Sequence, residues 1–77
     1  MVTTKNHTLD VRPILANGAE PFALIRAQVD ALAPGDNLTV IAPFLPAPLI
    51  ELLKAEGFQS TIEHRRDGAW SVNFHRP

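Results

Sequence analysis

Apolar and polar positions alternate from His7 to Arg12, with Leu9 and Val11 on one side and Thr8, Asp10 and Arg12 on the other. That period is the mark of a half-buried strand. From Ala19 the period lengthens. Phe22, Ile25, Val29 and Leu32 recur at helical spacing, while Arg26, Gln28 and Asp30 stay outside the stripe. Pro34 and Gly35 end this first helix. Residues 37–42, "NLTVIA", are apolar on both faces, as a strand interior to a sheet is. The prolines of "PFLPAP" break that strand, and Pro48 suits the first turn of a second helix whose buried face is Leu49, Leu52 and Leu53. Gly57 fits the left-handed end of that helix, with Phe58 placed against Leu53.

The remaining residues form a hairpin whose register follows from parity. Phe58, Ser60 and Ile62 share one face of its first arm, and Trp70, Val72 and Phe74 one face of its second. A two-residue Asp-Gly turn would pair Ile62 with Asn73 and set the apolar side chains on opposite faces. A three-residue loop of Arg66, Asp67 and Gly68 instead pairs Ile62 with Val72 and Ser60 with Phe74. Its third position needs a positive φ, which glycine supplies.

The resulting order, β-α-β-α-β-β, is an α/β chain of the α+β two-layer type. Right-handed crossovers put both helices on one face of a four-stranded mixed sheet in order 1-2-4-3, the last strand antiparallel to the others. Its core is to include Phe22, Trp70, Val72 and Phe74. Thr8, Asp10, Thr39, Thr61, Glu63, Ser71 and Asn73 are left on a polar open face. Seventy-seven residues make one domain, with residues 1–6 expected as a flexible tail.

The helix-starting proline, "LDVR", "LAPGDNLTV" and the closing hairpin together resemble the TusA/SirA-like superfamily of small sulfur carriers. Within it they are most similar to a cysteine-less branch of small bacterial proteins, a domain-of-unknown-function family. In the sulfur carriers the first helix opens with Cys-Pro-x-Pro, and the cysteine carries a persulfide. If Pro21 matches the second proline, Glu20 is the variable residue, Ala19 replaces the first proline and Gly18 replaces the cysteine. The resemblance therefore implies a fold and a docking surface, without the sulfur chemistry.

Composition narrows the function further. A formal charge of −1 gives no long-range attraction to nucleic acid or acidic membranes. The absence of cysteine removes disulfides and thiolate chemistry. The start lacks an apolar signal region and no segment approaches membrane-spanning length, so a cytoplasmic protein is expected. His7, His64 and His75 lack metal-ligand spacing, and adjacent Glu63 and His64 point to opposite faces of a strand. No catalytic residue, metal site or cofactor is expected.

Two constellations remain. Gly18 is read as the cap of the first helix, so neither helix start has a Ser, Thr, Asp or Asn cap, and free N–H groups there are an anion site in principle. Water or Asn17 would satisfy them equally well. The topology also brings Arg12, His64, Arg65 and Arg66 to the same edge as both helix starts, beside Ile14, Leu15, Phe44 and Leu45. This candidate edge comprises Arg12, Ile14, Leu15, Asn17, Gly18, Ala19, Glu20, Phe44, Leu45, Arg65 and Arg66. A mixed apolar and arginine edge suits protein docking. Solvation of the hairpin tip and capping of the core ends are the plainer accounts. The expectation is a non-enzymatic protein-interaction module, a monomer or weak dimer. The alternatives are a small-anion or metabolite binder at the two helix starts, and an accessory subunit of a sulfur-transfer or redox enzyme whose partner supplies the chemistry.

Overall fold

A computed structural model of the chain describes residues 5–77. Seven elements follow one another: β1 (Asn6–Asp10), α1 (Arg12–Ala16), α2 (Phe22–Asp30), β2 (Asn37–Ala42), α3 (Ala47–Ala55), β3 (Gln59–His64) and β4 (Trp70–His75). The sheet order is β1-β2-β4-β3, with β1 parallel to β2, and with β4 antiparallel to both β2 and β3. This is the α+β fold and the strand order the sequence predicts. Ile25, Val29 and Leu32, near or on α2, join Ile50 and Leu53 of α3 in one buried cluster with Leu38, Val40, Val72 and Phe74. Those strand residues share one face of the sheet, so α2 and α3 cover the same side. On the other side Asn73 Nδ2 donates to Thr39 Oγ1 at 3.0 Å across the polar face.

The hairpin register is the three-residue one. Ile62 pairs with Val72, Ser60 with Phe74 and His64 with Trp70. Arg65 N–H donates to the Ala69 carbonyl at 2.8 Å, and Gly68 holds φ at 87°.

Several expectations need correction. The segment after the first strand is not a plain loop. Pro13 fits the first turn of α1, the Leu15 N–H reaches the Val11 carbonyl at 3.0 Å, and a third helix results. Gly18 closes this helix instead of opening the next: its N–H donates to the Leu15 carbonyl and that of Ala19 to the Ile14 carbonyl, while φ reaches 76°. Phe22 and Leu52 are 44% and 39% exposed, because the first turn of α2 and the outer side of α3 pass beyond the covered sheet; Ile50 takes the inner position. Trp70 lies on the core side but is only half-buried, its ring stacked on His64 with centroids 4.1 Å apart. Of the tail expected over residues 1–6, residues 1–4 lie outside the described residues. Asn6 begins β1, and the Lys5 carbonyl accepts the Asn37 N–H at 2.9 Å.

The end of the sheet holding the β2 amino terminus is closed by a buried acid. Asp36 Oδ2 accepts the Ala33 N–H at 3.1 Å, Oδ1 accepts the Lys5 N–H at 3.3 Å, and its carbonyl accepts the Arg76 N–H at 3.0 Å. Phe58 seals the same end beneath the Arg76 guanidinium, whose carbon lies 5.1 Å from the ring centre. Gly57 and Phe58 end α3 with paired bonds to the Lys54 and Leu53 carbonyls.

Candidate functional site

At the opposite end the helices part. A cleft of about 350 Å³ opens between the amino ends of α2 and α3. Its floor includes Val11, Val40 and Ala42, and its walls include Ile25, Leu15 and Leu49. Pro21, Pro46 and Pro48 line it as well. Each proline presents a fixed apolar ring and lacks an N–H, so these three positions offer the cleft no donor. Phe22, Phe44 and Leu52 line the cleft while remaining well exposed, and Leu45 is exposed beside Phe44.

Helix starts ordinarily offer free N–H groups to an anion. Here much of that capacity is already spent. Glu20 Oε1 accepts the Phe22 N–H at 2.8 Å, so the chain's own carboxylate occupies the start of α2. The Ile25 N–H then makes the first intrahelical bond, to the Pro21 carbonyl at 2.9 Å. At α3 the Ala47 N–H turns back to the Leu45 carbonyl at 2.9 Å, and Pro48 has no N–H to give. Glu20 is the one ionisable side chain among the described residues lining the cleft.

The arginines of the predicted edge lie outside the cleft, Arg12 and Arg65 in a paired cluster. Arg12 Nη2 lies 2.7 Å from Asp10 Oδ2, and its Nη1 reaches Asp67 Oδ2 at 3.3 Å, tying the end of β1 to the hairpin tip. Arg65 lies 3.5 Å from the same Asp67 oxygen. The hydrogen bonds from the Arg12 side chain and backbone hold the Asp10 carboxyl below its ordinary value of 3.8. For Asp67 the Ala69 N–H is the larger cause of a similar lowering, followed by Arg65. Reciprocally, Asp10 raises the Arg12 guanidinium further above its usual range.

The structure thus divides the eleven predicted edge residues. Leu15, Glu20 and Phe44 line the cleft, with Leu45 beside them. Ile14 packs against the core, and Asn17, Gly18 and Ala19 form the exposed end of α1. Arg12 and Arg65 belong to the ion-pair cluster, and Arg66 is exposed at the hairpin tip. Sequence reading missed Pro21, Phe22, Pro46, Pro48, Leu49 and Leu52 as lining residues. The signal that could have found them is the density of prolines at two helix starts, each beside a bulky apolar residue.

Elsewhere, His75 Nδ1 lies 2.7 Å from Asn37 Oδ1, and His64 is engaged with Trp70. Among the described residues no helix is long and apolar enough to cross a membrane.

These features define a small α+β two-layer domain with an apolar cleft at the carboxyl ends of β1 and β2. The chain belongs to the family described as "Uncharacterized conserved protein (DUF2249)", which it matches over residues 8–76. No curated protein and no solved structure matches it.

Proposed function

We propose that the chain is a non-enzymatic docking module that receives a protein partner in the cleft between α2 and α3. The supporting observation is the rim: Phe22, Phe44, Leu45 and Leu52 expose large apolar surfaces around a cavity walled by proline. Water around such surface is released when a partner covers it. The occupant that fits is a partner segment carrying a bulky apolar anchor with a basic residue beside it. The anchor fills the cleft, and the basic group meets the Glu20 carboxylate. A small anion is less well served, since Glu20 opposes it and already holds the Phe22 N–H.

The resemblance to the TusA/SirA-like sulfur carriers supports the same location. If Pro21 matches the second proline of their Cys-Pro-x-Pro, Gly18 takes the place of the cysteine, and Glu20 and Pro21 of the same stretch line this cleft. With no thiol on the chain, any group-transfer chemistry in such an assembly would fall to the partner. On the same resemblance we place the protein in the bacterial cytoplasm.

Photo-crosslinking tests the proposal. A benzophenone side chain replaces Phe44, with a control at Thr39 on the polar face, in cells producing the chain. The expected result is a discrete protein adduct from position 44, absent from position 39 and lost when Leu52→Glu is added. Equal capture from both positions would overturn it, as would saturable, salt-sensitive phosphate binding centred on residues 18–20.

A further inference from the structure

The second edge of the sheet presents a different kind of surface. All six residues of β3 are exposed, and Ile62 is 47% exposed on the side that α2 and α3 occupy. The hairpin fixes which backbone groups β3 leaves free. Arg65 N–H donates to the Ala69 carbonyl, so Arg65 faces β4. Antiparallel ladders alternate, so Glu63, Thr61 and Gln59 also face β4, while Ser60, Ile62 and His64 turn their N–H and C=O groups outward. The 4.1 Å stacking of His64 on Trp70 fits this assignment, because side chains approach most closely at pairs that do not exchange hydrogen bonds.

Native edge strands are usually blunted by proline, lysine, a bulge or a covering segment. β3 contains no proline and no lysine, its one carboxylate, Glu63, lies on the polar face, and its paired register with β4 is continuous from Gln59 to His64. The other edge differs. In β1 the Lys5 carbonyl and the Val11 N–H bond to β2, so alternation leaves Asn6, Thr8 and Asp10 facing out; Asp10 there is charged and its side chain is engaged by Arg12.

We propose that two copies of this chain associate through β3, the strands pairing antiparallel about a two-fold axis at Ile62. The outward groups then meet in register: Ile62 faces Ile62 of the second copy, and Ser60 faces His64. On the polar face Thr61 lies opposite Glu63 and Gln59 opposite Arg65, so no like charges stand directly opposed. Shifting the axis one residue to Glu63 would set two carboxylates against each other, which the pairing rules penalise. The parity also keeps the helices of both copies on one side of a continuous eight-stranded sheet, and it leaves the cleft between α2 and α3 uncovered. This edge pairing stands independently of what the cleft binds.

The decisive substitution is Ile62→Pro. It removes an outward N–H and leaves the β3–β4 ladder its bonds, since proline is tolerated where an edge N–H faces solvent. Sedimentation velocity of the full chain should show a coefficient that rises with concentration. Ile62→Pro should weaken self-association by about tenfold or more, with far-UV circular dichroism unchanged. If that variant unfolds, Ile62→Lys carries the same test. The cysteine-free background allows a second measurement. Paired residues of this kind lie about 5.5 Å apart at Cα, within disulfide range. Ile62→Cys should therefore crosslink to itself on mild oxidation, and Leu45→Cys should not. A chain that stays monomeric up to millimolar concentration overturns the proposal. So does a dimer that folded Ile62→Pro leaves intact, or equal crosslinking from both cysteine variants.

Discussion

The two ends of this small sheet are finished in opposite ways. At one, Asp36 gathers backbone N–H groups from the α2–β2 turn, the amino end and the carboxyl end, and Phe58 closes over the core. At the other, prolines line an open cleft and two phenylalanines remain well exposed. Apolar content does not separate the ends, since both are rich in it. The difference lies in who satisfies the backbone. A buried aspartate whose carboxylate and carbonyl together accept from three segments lets them converge and seal. Prolines, and helix starts partly satisfied by Glu20 and by the Leu45 carbonyl, make less of that demand, so the helices can stay apart. In a domain this small, an apolar opening forgoes burial that the core could have used, which is the physical reason to look for function there.

Substitutions at matched aromatic positions test that contrast most sharply. Phe58→Ala at the closed end should cost about 3–5 kcal/mol, as large core truncations do. Phe44→Ala at the open end should stay within about 0.5 kcal/mol. Urea unfolding of both variants measures the gap, and equal losses would erase the distinction. Next in size, Asp36→Ala should cost about 1–3 kcal/mol, because it strips acceptors from the Lys5 and Ala33 N–H groups. Hydrogen exchange should accelerate at those two amides before it does in β2.

The smallest effect concerns acid. Asp10, Asp67 and Glu56 have carboxyls lowered on folding, the last chiefly by its hydrogen bond from Arg26. A lowered folded pKa contributes stability that is fully present above the unfolded values of 3.8 and 4.5, and that is lost as pH falls through the folded ones. These groups are exposed, so the contribution is modest and screened by salt. The melting temperature should begin to fall below about pH 4, and Arg12→Ala should lower the plateau near neutrality slightly and flatten the decline, so that the two curves converge in acid.

Much of this architecture was legible from the chain. The hairpin register followed from the parity of Ile62 and Val72 together with one glycine, because a one-residue slip exchanges the faces. The glycine stop of α3 was readable for a similar reason: Gly57 and Phe58 act locally. Helix α1 was hidden, since Ile14 and Leu15 are too few to show a period, and Gly18 can end one helix as readily as begin another. The exposure of Phe22 was hidden too. Spacing places it on the same stripe as Ile25, but whether sheet lies beneath the first turn of α2 is a tertiary matter. The arginine cluster misled because Asp10 and Asp67 are 57 residues apart in sequence, and their meeting at Arg12 depends on the closed fold.

Arg26 joins the two long helices by a bidentate bond to Glu56, with Nη2–Oε1 at 2.8 Å, at the carboxyl end of α3. The pair ties the middle of α2 to the carboxyl end of α3, away from the mouth of the cleft. Both partners are partly exposed, so salt that screens the pair weakens this tie between the helices without touching a residue that lines the cleft.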